Sequence, residues 1–245
     1  MKIGVMARCL DQHEGGIRVY ARELLKRIAL STNHELVLLT KSCKSNSFEV
    51  PIQELALGNS PSFIWDQWQV SKVAHKEGSD LIFNLKYSVP LVKKCPTVFV
   101  CHGLDWYIMP RGSKWIDRVS HQLLIPEYAK RADAIIAVSE TVRQNVIEYL
   151  GVDESRVHRV YSGIDREKFG KQIPLELLQE TKLTYQLPAD YFLYCGQIYP
   201  PKNFGRLIQA YAQIGPKFGI SLVIAGTKTW LYENEVDLID KLTDP

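Results

Sequence analysis

The stretch Asp133–Tyr161, DAIIAVSETVRQNVIEYLGVDESRVHRVY, decides the fold because it alternates two apolar runs with one amphipathic segment. The first run, Ala134–Val138, is typical of a buried strand. Glu140–Leu150 repeats apolar residues at helical spacing, and Ser139 precedes it as an N-cap. The second run, Val157–Tyr161, predicts another strand. A strand, a helix and a strand in this order predict a parallel β-α-β unit.

The same alternation extends along the rest of the chain. Further strands are predicted at Ile3–Met6, Glu35–Thr40, Asp80–Phe83, Thr97–Cys101, Tyr191–Cys195 and Ser221–Ala225. Further helices are predicted at residues 17–28, 61–76 (with Trp65 and Trp68 on the apolar side), 114–130, about 203–214 and 233–242. Strands that alternate with helices favour an α/β fold with a parallel sheet covered on both faces. Right-handed crossovers leave few other topologies.

The sequence predicts two domains of unequal completeness. Residues 1–165 carry six or seven predicted strands, enough for one Rossmann-like domain. Residues 166–188 are more polar and are predicted to be a linker. Residues 189–245 carry only two strands, whereas a doubly wound nucleotide fold has five or six. We therefore expect a partial second domain with an uncovered sheet edge, which would favour self-association.

Composition excludes several classes of protein. The chain has 245 residues, 46% hydrophobic and 23% charged, with a net charge of +3, which is too small to predict nucleic-acid binding. The five cysteines are scattered without a C-x-x-C pair, so neither a disulfide framework nor a metal site is expected. A signal peptide and a membrane-spanning segment are both absent from the pattern. We expect a cytoplasmic protein, with the inner face of the membrane as an alternative location.

Two loops that follow strands carry candidate site residues in the first domain. Gly15 and Gly16 open the first helix, where backbone amides suit a phosphate, although a tight turn would also explain them. The dinucleotide fingerprint G-x-G-x-x-G is absent, which disfavours NAD or FAD. His102 and Asp105 follow the strand Thr97–Cys101, where a histidine can exchange a proton and an aspartate can orient it. A structural hydrogen bond is the alternative for His102.

Candidate site residues also follow two other predicted strands. Ser139 and Glu140 lie at the same predicted edge, but an N-cap and a first-turn charge also account for them. In the second domain the strand ending at Cys195 is followed by candidates for phosphate binding, with Lys202 at the start of a helix: Gly196, Gln197, Lys202 and Asn203. A lysine at a helix N-terminus is unfavourable unless an anion binds there. A solvated surface lysine is the alternative.

The segment Lys114–Arg118 places cations beside a tryptophan. Such a pattern is found where a helix dips into a membrane surface, and also in ordinary packed helices. Peripheral membrane contact is therefore one predicted interaction.

Taken together, the motifs resemble the group 1 retaining glycosyltransferases of the GT-B fold. The resemblance rests on the Gly15-Gly16 pair, on VFVCHGLDW at residues 98–106, on residues 131–165 and on YFLYCGQIYPPKNFGRLIQAY at residues 191–211. It implies transfer of a sugar from a nucleotide sugar to a hydroxyl of a glycan or lipid-linked acceptor, without cofactor or metal. Fixed positive groups would then stabilise the leaving diphosphate.

The resemblance also assigns roles to residues. It implies that Gly15 and Gly16 approach the diphosphate or donor sugar, that His102 contacts the transferred sugar, and that Lys202 pairs with the β-phosphate. Ser139, Glu140 and Asp105 would line the cleft.

The chain departs from the family pattern in two places. Gln197 and Pro201 stand where an arginine is common, which predicts weaker diphosphate binding. The family's later pair of glutamates, separated by seven residues, has no counterpart, so we expect a C-terminally truncated chain that is inactive alone. A binding module without turnover and a nucleotide-sugar epimerase are the alternatives.

Overall fold

The computed structural model describes residues 1–11, 15–42, 52–112, 114–198 and 200–227. The predicted helix 233–242 lies outside these residues. The chain divides into two compact units, one made of residues 1–108 and 115–163 and the other of 109–114 and 164–245.

The described residues of the first unit contain seven strands and the helices that connect most of them. The strands are β1 (Lys2–Met6), β2 (Glu35–Thr40), β3 (Gln53–Ala56), β4 (Leu81–Asn84), β5 (Thr97–Cys101), β6 (Ala134–Ala137) and β7 (Val157–Arg159). The helices are α1 (Gly16–Ser31), α2 (Ser62–Ile64), α3 (Val70–Lys76), α4 (Asp105–Ile108), α5 (Trp115–Arg131) and α6 (Glu140–Leu150). The predicted bounds of β2, β5 and α6 are those that the structure shows.

All seven strands are parallel and form one sheet in the order β3-β2-β1-β4-β5-β6-β7. This confirms the predicted α/β fold. The order runs one way from β1 to β3 and the other way from β4 to β7, so the sequence direction reverses between β1 and β4. The connections leave these two strands toward opposite sides, which opens a crevice at their carboxyl ends.

Side chains of alternate strand residues pack into two hydrophobic layers, one on each face of the sheet. On β2, Leu36 and Leu38 pack in the layer with α1 residues such as Leu25, whereas Val37 and Leu39 pack with Trp65 in the other. This alternation is the two-residue period of a strand buried on both faces. A third cluster joins β5, β6 and β7 to helices α5 and α6.

The predicted helix 61–76 differs from expectation in its middle. Residues Trp65–Gln69 form a π-helical turn between α2 and α3. A π-turn inserts one extra residue and rotates the side chains that follow relative to an α-helical projection. Trp65 is fully buried, but Trp68 is 63% exposed, so the prediction that both tryptophans share the buried side was wrong for Trp68.

The second unit contains fewer described elements. These are α7 (Arg166–Phe169), α8 (Leu175–Thr184), β8 (Tyr191–Cys195), α9 (Phe204–Phe218) and β9 (Ser221–Ala225). Strands β8 and β9 pair in parallel, and the cluster Ile198, Phe204 and Ile208 packs beside them.

The segment predicted as a linker holds two helices rather than irregular chain. Asp165 caps α7 by accepting hydrogen bonds from the backbone N–H groups of Glu167 and Lys168. Pro174 directly precedes α8, where its fixed φ favours helix initiation. The polar composition of 166–188 therefore reflects short exposed helices.

Candidate functional site

The N-terminus of α1 lies at the carboxyl edge of the first sheet. Gly15 occupies the N-cap position in an extended conformation, φ −178°, and has no side chain that could cap the helix. A Cβ placed on Gly16 would meet nothing within 4 Å. Neither the conformation of Gly15 nor the packing around Gly16 demands glycine, so the tight-turn explanation gains no support. Free N–H groups at a helix N-terminus suit an anion.

His102 makes two contacts, one with this helix and one with the residue that follows β4. Its ring packs edge-on against Tyr20 of α1, with 4.9 Å between centroids, and its Nε2 lies 3.0 Å from the carbonyl oxygen of Leu85. A carbonyl can only accept, so Nε2 carries the proton and Nδ1 of the neutral ring is an acceptor. Burial lowers the pKa of His102, the nearby Lys86 cation lowers it further, and the Leu85 carbonyl opposes both. The ring is therefore neutral at neutral pH.

Asp105 does not take the orienting role that the sequence suggested. Among the described residues no hydrogen bond joins it to His102, and the Leu85 carbonyl holds the ring instead. Asp105 begins α4, where it is exposed. Gly103, which lies between the two residues, has a φ of +156°.

A side chain at position 103 should destabilise the protein. A φ of +156° is accessible to glycine and strained for other residues, so Gly103→Ala should lower the free energy of unfolding by about 1–3 kcal/mol. Urea unfolding followed by circular dichroism measures this change. Gly16→Ala is the matched control, because alanine is favoured in a helix and has space there; it should leave stability unchanged or raise it. Equal stability of both variants would contradict the prediction.

Ser139 and Glu140 make structural contacts. The Ser139 hydroxyl accepts a hydrogen bond from the N–H of Val142 at 3.1 Å, which is the N-cap alternative considered above. Glu140 pairs with Arg143 at 3.3 Å and with Arg159 at 3.1 Å. A cleft-lining role for either residue stays a prediction.

In the second unit, Lys202 lies one residue before the N-cap of helix α9. It ends a 3₁₀ turn at Pro200–Lys202, and Asn203 follows in the left-handed conformation as the N-cap of α9 without a side-chain cap bond. Lys202 and Asn203 are both exposed. The arrangement combines a cation with free N–H groups at one helix end, as an anion site requires. Pro201, where an arginine is common in the family that the sequence resembles, lies against Gly112 of the same unit.

Backbone groups of Gly196 and Gln197, the two residues after β8, take part in hydrogen bonds within the second unit. The N–H of Gly196 donates to the carbonyl of Ala225 at 2.9 Å, and the carbonyl of Gln197 accepts from the Tyr194 hydroxyl at 2.8 Å. The Gly196 N–H is therefore engaged in extending the β8–β9 pairing. The Gln197 side chain is exposed, and phosphate binding by it stays a prediction.

A charged cluster that was not predicted from the sequence lies at the crevice between β1 and β4. Arg8 Nη2 donates to Asp66 Oδ2 at 3.1 Å, and both side chains line a cavity of about 220 Å³ together with Lys86. Burial raises the pKa of Asp66 while Arg8 opposes this; burial and Arg8 together lower the pKa of Lys86. No local motif connects these residues. The usable signal was that Arg8 and Lys86 each follow a strand by two residues.

Among the residues that the structure describes, no group of three or more His, Cys, Asp or Glu side chains is placed to hold a metal ion. In the same part of the chain, none of the helices is both long enough and apolar enough to cross a bilayer.

Known proteins similar to this chain are bacterial glycosyltransferases. A family model described as Glycosyltransferase Family 4 matches residues 14–168. The serotype-specific mannosyltransferase WbdA of Escherichia coli is 37% identical over 83 residues, which are 34% of this chain and 10% of WbdA. The O-antigen chain mannosyltransferase RfbU of Salmonella typhimurium is 22% identical over 148 residues, which are 60% of this chain and 37% of RfbU.

A solved structure covers nearly the whole chain. The crystal structure of Anabaena HepE in complex with UDP-glucose superposes with a TM-score of 0.68 at 17% identity, over 99% of this chain and 65% of HepE. The likeness confirms the GT-B type of α/β fold. The chain spans less than two thirds of the length of each of these three proteins.

Proposed function

Because this chain belongs to glycosyltransferase family 4, we propose that its protein transfers a sugar from a nucleotide sugar to an acceptor hydroxyl with retention of configuration. The acceptor oxygen forms a bond to the anomeric carbon of the donor sugar, and the bond from that carbon to the diphosphate breaks. The nucleoside diphosphate leaves and the hydroxyl proton is released. The proposal assigns no metal or cofactor to this step.

One observation carries the proposal in the first unit. Tyr20 of α1 packs against the His102 ring, and α1 begins at Gly16 with a glycine as its N-cap residue. An anion-binding helix end and a neutral histidine with a free acceptor nitrogen thus share one edge of the sheet. That pairing suits a diphosphate and the sugar attached to it. In the second unit Lys202 would neutralise the leaving diphosphate.

The names of the similar proteins favour one donor sugar and one class of acceptor. Both named relatives are mannosyltransferases, and RfbU acts on O-antigen chains by its name. We therefore infer a nucleotide-activated mannose as donor and a growing bacterial polysaccharide, glycan or lipid-linked, as acceptor. A binding module without turnover and an epimerase are not favoured, because the relatives transfer sugars.

Contact with a membrane surface is part of the proposal. Helix α5 exposes Trp115, Ile116, Val119 and Leu123, which recur along one side of the helix, and Lys114 precedes them. An exposed apolar stripe with a cation at its start supports shallow insertion among lipid headgroups. Such contact would place the enzyme where a lipid-linked acceptor is found.

The function is tested with the full protein that contains these 245 residues. GDP-mannose and UDP-glucose are each incubated with it and a mannose-terminated oligosaccharide. We expect nucleoside diphosphate release that depends on the acceptor and an extended product with the donor's anomeric configuration, determined by NMR spectroscopy. Release without an extended acceptor, or an epimerised nucleotide sugar, would overturn the proposal.

A further inference from the structure

One peptide unit after β4 determines how the His102 ring is oriented. Leu85 is the first residue after this strand, and its carbonyl oxygen lies 3.0 Å from Nε2 of His102. The Leu85 side chain is fully buried, which anchors the residue in the core of the first unit. The direction of the Leu85 carbonyl decides where the Nε2–H group points, and with it the acceptor Nδ1.

The N–H group of the same peptide unit is bound by the side chain of Asn84. Its Oδ1 accepts a hydrogen bond from the backbone N–H of Lys86 at 2.9 Å. The Leu85 carbonyl and the Lys86 N–H belong to one planar peptide group, which is trans. In a trans peptide the N–H and C=O groups point in opposite directions, so Asn84 and His102 bind opposite sides of one rigid plane. A rotation of that plane would weaken both hydrogen bonds.

Asn84 occupies a fixed place in the middle of the sheet. It is the last residue of β4 and is the register partner of Met6 in β1 and of Phe99 in β5. Strand β5 ends at Cys101, directly before His102. The two residues at opposite sides of the peptide plane therefore come from the ends of two neighbouring strands.

The amide nitrogen of Asn84 sets the orientation of its side chain. Nδ2 donates to the Ser88 carbonyl at 2.6 Å and to the Ser88 hydroxyl at 2.8 Å. Asn84 is 3% exposed, and a buried amide needs partners for its donors as well as for its acceptor. Because Nδ2 is directed at Ser88, Oδ1 is directed at Lys86. An asparagine that accepts from the N–H two residues later stabilises a turn.

We propose that Asn84 is a positioning residue for His102, because it fixes the Leu85–Lys86 peptide unit whose carbonyl accepts the hydrogen bond from Nε2. The acceptor Nδ1 is then held in one direction, where it serves a hydroxyl of the donor sugar. That Nδ1 contacts a sugar rests on the proposed function. The hydrogen-bond relay from Asn84 through the peptide unit to the ring does not.

The central variant is Asn84→Ala in the full protein that contains these 245 residues. It removes the acceptor for the Lys86 N–H and the donor to Ser88 together. In a protein with isotope-labelled histidine, the Nε2–H proton of His102 gives an NMR signal that is assigned by its absence in His102→Gln. We expect this proton to exchange slowly with water in the wild type and at least about tenfold faster in Asn84→Ala.

The same variant should affect turnover more than binding. A His102 ring that is free to reorient presents Nδ1 correctly for only part of the time. We therefore expect kcat for sugar transfer to fall about tenfold or more in Asn84→Ala, with the KM for the donor changed by less than about threefold. Steady-state kinetics with varied donor concentration measure both constants.

Two further variants separate positioning from a general loss of stability. Asn84→Ser keeps an oxygen that can accept from the Lys86 N–H, as serine does in such turns, and should recover most of the slow exchange and of kcat. Ser71→Ala removes a different hydrogen bond from the connection between β4 and β5, because the Ser71 hydroxyl donates to the Val92 carbonyl. It leaves the peptide unit untouched, so the His102 signal and kcat should be those of the wild type.

A measurement on the wild type keeps the test independent of folding defects. Rotation of the peptide plane frees the Lys86 amide proton and the His102 Nε2–H proton together. Relative to an unstructured peptide, hydrogen exchange should therefore protect both to the same degree, within about threefold. Free exchange of one proton while the other is protected would overturn the proposal, and this result decides if Asn84→Ala does not fold.

The outcomes also distinguish this proposal from the proposed function. An unchanged His102 signal in Asn84→Ala, or an unchanged kcat when the signal is lost, would overturn the positioning role and leave sugar transfer standing. The exchange measurements need no nucleotide sugar. A protein that shows the relay but transfers no sugar would refute the proposed function alone.

Discussion

Replacing Lys202 with alanine should lower kcat/KM for nucleotide-sugar transfer by about 10²–10³-fold in the full protein. The diphosphate gains negative charge as the bond to the sugar breaks, and a fixed cation beside free N–H groups stabilises that charge in the transition state. Lys202 is exposed and precedes Asn203, the N-cap residue of α9, whose side chain makes no cap hydrogen bond. Steady-state kinetics with varied donor concentration measure the loss.

Although Lys202→Ala should lower activity, it should not lower the stability of the protein. Without a bound anion, a lysine at a helix N-terminus is repelled by the helix dipole, so Lys202→Ala should leave the free energy of unfolding unchanged or raise it by up to about 1 kcal/mol. A loss of activity with no loss of stability separates ligand binding from a structural role.

Lys217 supplies the matched control for Lys202. It lies in the last turn of the same helix, where a cation is favoured, and it is also exposed. Lys217→Ala should keep full activity and lose a little stability. If the two alanine variants showed equal activity, Lys202 would be a surface lysine and the donor-phosphate assignment would fail.

Most strands could be predicted from the sequence because a buried strand consists almost entirely of apolar residues. Runs such as Glu35–Thr40 and Thr97–Cys101 are apolar nearly throughout, as strands covered on both faces are. β3 was missed because Gln53–Ala56 is an edge strand, paired on one side only with β2 and partly exposed. Its stability comes from that pairing, which no local pattern encodes.

The candidate site was predictable only where one loop contains it. His102 and Lys202 each follow an apolar run, so position alone singled them out. The cluster of Arg8, Asp66 and Lys86 needs three distant segments, and its first two residues are 58 positions apart in the sequence. Its assembly depends on β1 and β4 being neighbours, and sequence order does not reveal that pairing. The predicted burial of Trp68 was wrong because a π-turn changes the helical period. The amino-acid composition of the segment does not indicate such a turn.

His102→Gln should lower kcat by about 10²-fold while the first unit stays folded. The glutamine amide N–H can still donate to the Leu85 carbonyl, as the ring Nε2 does at 3.0 Å, but the acceptor Nδ1 is lost. A hydrogen bond to the donor sugar that strengthens in the transition state would be removed, and such bonds contribute about two to three orders of magnitude. Kinetics at saturating donor and acceptor measure kcat.

The pH dependence of stability then separates His102 from a residue with a packing role only. Its pKa in the folded state is below the ordinary 6.5, because burial disfavours the imidazolium. Between the folded-state pKa and 6.5 the unfolded chain binds more protons, so the wild type loses stability as the pH falls below 6.5 and levels off below the folded-state pKa. His102→Gln lacks this titration and should lose less stability over that interval in urea unfolding at each pH. Parallel stability profiles with full activity in the variant would show that the histidine neither titrates as a buried neutral ring nor contacts the sugar.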